Sequence, residues 1–228
     1  MYQNSPLLQF AENQLQIIAL LFMAVVYALK IRWIFRFPEG KDRQAPGGNG
    51  AAGAAKGAKT SLLAIAMPWT MASTRNHGLL YAQFVIFHLG VAASIAMSFL
   101  IPYAPELMRG PGAVLGLQAL FGLAALVGVV RLVRRLSSPY LRAISSPDDY
   151  FSLALLIVWL AFSALAALES QRGEAHEWPL TAYFFLTAFF LIYVPFSKIS
   201  HYIYYPFARW YLGRTLGHRG SYPLVKGA

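Results

Sequence analysis

Cysteine is absent from the 228-residue chain. That excludes disulfides, and it excludes an iron–sulfur cluster held by the chain's own thiolates. Charge is scarce as well: 12% of residues are charged, and nine acidic residues stand against 19 Lys and Arg. No Lys or Arg precedes Lys30, so the basic n-region of a secretory signal is missing and the first apolar run is expected to stay as a transmembrane helix. What is abundant is apolar: 57% of the chain is hydrophobic, with a mean hydropathy of +0.50. These residues fall in long blocks, which excludes a soluble domain and indicates an integral membrane protein. A net charge of +10 would suggest nucleic acid in a soluble domain. Here the basic residues lie between apolar runs, where the positive-inside rule accounts for them, and no nucleic-acid partner is expected.

Five runs are long enough to cross a bilayer of roughly 30 Å: about Leu15–Ile34, Leu79–Ile101, Ala113–Leu132, Tyr150–Leu168 and Leu180–Ile203. The expected fold is an all-α integral membrane protein, a five-helix transmembrane bundle forming one domain over residues 1–228. The segments expected inside (Lys30 to Arg75, Arg131 to Arg142, and Lys198 onward) hold seventeen Lys and Arg; the other side holds Arg109 and Arg172. That bias places the N-terminus outside and the C-terminus in the cytoplasm of a cell inner membrane protein that passes several times through the lipid. Residues Ala45 to Thr60, APGGNGAAGAAKGAKT, show no core-forming pattern and read as a flexible Gly/Ala-rich cytoplasmic loop over about 40–60. The following SLLAIAMPWTMAS, with Pro68 and Trp69, reads either as a segment in the interface plane or as a loop packed on the bundle. Gly112, Gly116, Gly122 and Gly128 punctuate the third span, where small residues let helices approach closely. A cytoplasmic tail is expected over about 204–228, after the aromatic belt of Tyr202, Tyr204, Tyr205 and Trp210 that marks a helix leaving the membrane.

Two histidines stand in apolar surroundings: His88 within FVIFHLGVA, and His201 at the inner edge of the fifth run. Ionisable groups there mark functional sites. Two neutral imidazoles from different helices can ligate a b-type haem axially, with the porphyrin lying between helices as an apolar slab. Other readings are a histidine that only hydrogen-bonds a neighbour, and a proton or ion pathway. His77 lies eleven residues before His88, about three helical turns or roughly 16 Å along one face. Depth alone does not choose between them as the partner of His201; the apolar surroundings favour His88. His176 and His218 lie in an outer loop and in the polar tail.

The order of motifs FHLG at Phe87–Gly90, RRLSSPYLRAISSPDDYFSLALLI from Arg134, and VPFSKISH ending at His201 resembles the gamma subunit of respiratory nitrate reductase and its relatives. These are five-helix membrane cytochromes b, among them membrane subunits paired with heterodisulfide-reductase-like iron–sulfur proteins. The resemblance spans about Arg75 to Tyr211 and implies a haem held by His88 and His201. Relatives that bind two haems carry further histidines at the positions matching Ser98 and Tyr183. Tyr183 and His201 are 18 residues apart, about five turns or roughly 27 Å on one continuous helix. With serine and tyrosine there, this chain is expected to keep the inner haem alone.

The implied function is transfer of electrons between a membrane quinone, menaquinone or ubiquinone, and a cytoplasmic or peripheral iron–sulfur partner. The chain then serves as a subunit of an oxidoreductase complex rather than a stand-alone enzyme. Arg134, Arg135 and Lys198 are the nearest cations for the haem propionates, and each also reads as an ordinary inner-face anchor. Arg109 falls about where the family places a basic residue beside its quinol site. The tail, with Trp210, Tyr211 and Tyr222 among Arg209, Arg214 and Arg219, is expected to dock the partner. The competing readings are a haem-free anchor or assembly subunit, and a small proton-coupled transporter.

Overall fold

The computed structural model describes residues 5–38, 40, 43–47, 50–67, 69, 72–108, 110–172 and 177–223. The helices, in chain order, are α1 (Pro6–Gln9), α2 (Leu15–Arg36), α3 (Ala51–Ala66), α4 (Ala72–Asn76), α5 (Gly78–Tyr103), α6 (Pro111–Ser137), α7 (Pro139–Ala143), α8 (Pro147–Arg172), α9 (Glu177–Tyr193) and α10 (His201–His218). There is no strand among the described residues. The chain divides into two compact units: Met1–Lys30 with Leu80–Lys198, and Ile31–Leu79 with Ile199–Ala228.

Five segments are long and apolar enough to cross a membrane: Pro6–Arg36, Gly78–Tyr103, Gly112–Ser137, Pro147–Glu169 and Glu177–Phe196. Each of the five expected spans therefore contains such a helix. Large apolar side chains such as Leu21, Val25, Leu115 and Leu126 face outward. A helix satisfies its own backbone hydrogen bonds, so lipid can cover such a surface.

In the first unit the helix ends follow local chemistry. Ser5 caps α1, its hydroxyl accepting from the Leu8 N–H at 3.2 Å, while Pro6 takes the first turn, where no N–H partner is needed. A π-helical turn, Phe10–Gln14, carries α1 into α2. The Ser5 N–H donates to both Glu177 carboxylate oxygens at 3.0 and 3.1 Å, tying the start of α1 to the start of α9. Asp149 reaches back from the first turn of α8 to the N–H and hydroxyl of Ser146 at 2.7 and 2.9 Å. A carboxylate at a helix N-terminus also suits the dipole. Helix α6 packs on α8, and α8 on α9. Helix α5 joins through Gly90, where an added Cβ would collide with Ala124 of α6. Phe121, Ala124, Leu160, Tyr183 and Phe184 fill the interior.

The fifth span ends sooner than its hydropathy implies. Helix α9 stops at Tyr193, and two 3₁₀ turns, Val194–Phe196 and Lys198–Ser200, precede α10. Pro195 removes a backbone donor and disfavours helix before it. His201 is the first residue of α10, so it does not continue the helix that carries Tyr183, and the five-turn spacing along one face does not hold.

In the second unit, α3 packs along α10. Gly53, Gly57 and Ser61 of α3 meet Gly213 and Gly217 of α10 so closely that an added Cβ at any of the four glycines would strike backbone of the other helix. This corrects the expectation of loop structure here. Residues 51–60, read as flexible loop, are helix. The segment from Ser61 to Ala66 is the second half of α3 rather than a loop; Pro68 lies outside the described residues. Residues 204–218, within the expected tail, are helical and belong to α10. In the third span, by contrast, Gly112, Gly116 and Gly122 have open space beside them; Gly128 alone of those four is tightly packed, against Ile157 and Phe87.

Candidate functional site

His88 lies near the middle of α5 in the first unit. Its Nδ1 is 2.8 Å from the Phe84 carbonyl one turn back. A carbonyl can only accept, so Nδ1 carries the proton, and in the neutral ring the lone pair lies at Nε2. Metal-ligating histidines are held in this way, with the second nitrogen donating to a carbonyl or carboxylate. Phe84 lies against the ring at 4.0 Å between centroids, and Phe87 meets it edge-on at 6.0 Å. The Arg131 guanidinium sits over the Phe87 ring, 5.7 Å from its centroid. His88 is thus an oriented imidazole between aromatic neighbours, with the Arg131 cation on the far one of them.

His201, exposed at the first position of α10, belongs to the second unit. His77 occupies the turn before α5, outside any helix, and His218 closes α10. His176 and Arg109 lie outside the described residues.

The three cations expected at the propionates are differently placed. The Lys198 ammonium meets Asp149 at 2.6 Å, and Arg135 lies 3.8 Å from the other oxygen of the same carboxylate while donating to the Ser145 hydroxyl at 2.6 Å. Arg134 is exposed. Two of the three are therefore already engaged by Asp149. Asp148, beside it, accepts from the Lys198 N–H at 2.9 Å, from Ser152 at 3.3 Å and from the Tyr193 hydroxyl. The Pro195 carbonyl accepts from Lys30. The break after α9 is thus stapled from α8 and α2. Sequence reading missed both Asp148 and Arg131. The two adjacent acids at an expected inner membrane edge were the available signal for Asp148; Arg131 was indistinguishable from its basic neighbours.

Ser98 and Tyr183 lie within hydrogen-bonded packing. Tyr183 is fully buried and donates to the Ser94 carbonyl at 2.6 Å. Its ring lies nearly parallel to Trp159, with 6° between planes and 6.4 Å between centroids. Trp159 donates to Thr187 at 2.9 Å, and Thr187 to the Tyr183 carbonyl at 2.7 Å. Ser163 gives its proton to the Trp159 carbonyl at 2.8 Å, so the Ser94 hydroxyl, 2.6 Å away, donates to Ser163. Ser98 donates to the Ile95 carbonyl at 2.7 Å. Among the described residues no buried side-chain nitrogen or oxygen lacks a partner.

The five apolar helices make this a multi-pass, all-helical membrane protein. Compared with known proteins, the chain matches no family model, no curated protein and no solved structure.

Proposed function

We propose that the chain is the haem b-bearing membrane subunit of a respiratory-type complex. It carries electrons between menaquinone or ubiquinone and a cytoplasmic iron–sulfur partner, with its N-terminus outside and its C-terminus inside. The observation that carries this reading is the orientation of His88: its Nδ1 proton is committed to Phe84, which directs the lone pair to Nε2. His88 supplies one axial nitrogen and His201 the other. When bound, the haem supplies the one-electron redox couple; the protein fixes its ligands and surroundings. Arg131, over Phe87, joins Arg134 as a cation for the propionates. Arg135 and Lys198 hold Asp149 and keep the α9 break in place.

A single haem is favoured because the positions matching a second ligand pair are Ser98 and Tyr183, and Tyr183 is locked into the Ser94–Trp159–Thr187 packing. A buried serine or tyrosine hydroxyl already hydrogen-bonded to backbone is a poor substitute for imidazole.

The test is the visible spectrum of the purified chain and its variants. His88→Ala and His201→Ala should each abolish the reduced b-type band, whereas His77→Ala, His176→Ala and His218→Ala should keep it. Haem content should be about one per chain, because Ser98 and Tyr183 stand at the positions of the second ligand pair. A band retained in His88→Ala would refute the ligation. No band under haem-replete expression would leave the haem-free anchor or the transporter.

A further inference from the structure

The second unit contains a cavity of about 800 Å³, within the roughly 300–1,000 Å³ of small-molecule sites. Its two walls differ in chemistry. Ala51, Ala54 and Ala58, from one face of α3, make an apolar wall; Trp210, Tyr211, Arg214, Thr215 and His218 of α10 make the other. Arg214 lies over the Trp210 ring at 5.2 Å. Its guanidinium has five N–H donors, enough to serve more than one partner. None of the described lining residues is acidic. The unit as a whole carries eleven Lys and Arg against Glu39 and Asp42, so its field favours an anion.

We infer that this cavity binds a phosphate-bearing ligand with an apolar body, the phosphate held by Arg214 and His218 and the body laid along the alanine face of α3. Phosphate suits the polar wall better than carboxylate does. It presents more acceptor oxygens to the guanidinium and the imidazole, and Arg pairs with it in bidentate geometry. The close α3–α10 approach at Gly57 and Gly213 fixes the two walls relative to each other, which preforms the site. This inference is independent of the haem. Two sources share the chemistry: an anionic phospholipid drawn from the adjacent leaflet, and a soluble phosphate ester such as a nucleotide.

The experiment uses the full chain in detergent. Native mass spectrometry would follow retention of phosphatidylglycerol against phosphatidylcholine, and calorimetry would follow inorganic phosphate and ATP. Phosphatidylglycerol should be retained in preference, and Arg214→Gln should weaken it about tenfold, the expected loss for a charge-assisted hydrogen bond. His218→Gln should weaken it less, and Arg75→Gln, an equal change of charge on an exposed residue outside the cavity, should leave it unchanged. Binding of ATP with the same dependence on Arg214, without lipid retention, would support the site and assign the soluble source. Equal losses in Arg75→Gln and Arg214→Gln would overturn the inference in favour of diffuse charge. So would the absence of binding by any of these probes.

Discussion

Replacing Gly213 by leucine puts the α3–α10 contact under direct test. A Cβ at Gly213 would lie 2.5 Å from both the Gly57 carbonyl oxygen and the Ser61 Cβ, where ordinary contact begins at 3.4 Å. The shortfall is nearly 1 Å, and one obstructing atom is backbone, which cannot turn aside as a side chain can. Overpacking of this kind costs about 1–3 kcal/mol, and the rigid obstacle puts this site in the upper half of that range. A loss of about 2–3 kcal/mol corresponds to a roughly 30- to 150-fold rise in local opening. Hydrogen–deuterium exchange read peptide by peptide should show that rise in α3 and α10 together, with α8 and α9 unaffected. Gly57→Leu should reproduce it from the facing helix. Gly116→Ala in α6, where nothing lies within 4 Å, serves as the control. There the added methyl meets no obstacle and favours helix by up to about 1 kcal/mol. Wild-type exchange of α3 in both leucine variants would show that the two helices do not meet along this face.

Tyr183→Phe removes the hydroxyl that donates to the Ser94 carbonyl while keeping the ring against Trp159. It should cost about 1 kcal/mol, a fall of roughly 2–4 °C in a thermal melt for a chain of this size. Asp149→Asn removes the carboxylate shared by Lys198 and Arg135 and weakens the cap at Ser146. Because Lys198 is largely exposed, the pair itself is worth little, so the loss should be about 1 kcal/mol, mostly from the cap. High salt should shrink the ion-pair share; a melt unchanged from wild type would show that the staple does not hold the end of α9.

Some of this protein was legible in its residues alone because the cause is local. A run such as Gly78–Tyr103 must be helical in lipid whatever surrounds it, since only helix satisfies its backbone there. Span number and approximate limits therefore follow from hydropathy. The apolar setting of His88 was legible for the same reason; Pro195 was an available signal for the break, but the fifth run was read through it to Ile203. Helix α3 was not legible: GAAGAAKGAK has the composition of a linker, and glycine disfavours helix in isolation. Its glycines become an asset only against Gly213 and Gly217, more than 150 positions away in the chain, where the missing side chains let two backbones touch. The partners of charge were hidden in the same way. Lys198 and Arg135 looked like cations awaiting a ligand until the tertiary fold brought Asp149 to both. Composition and period report what a residue can do; which partner satisfies it depends on contacts between distant segments, and those exist only once the chain is folded.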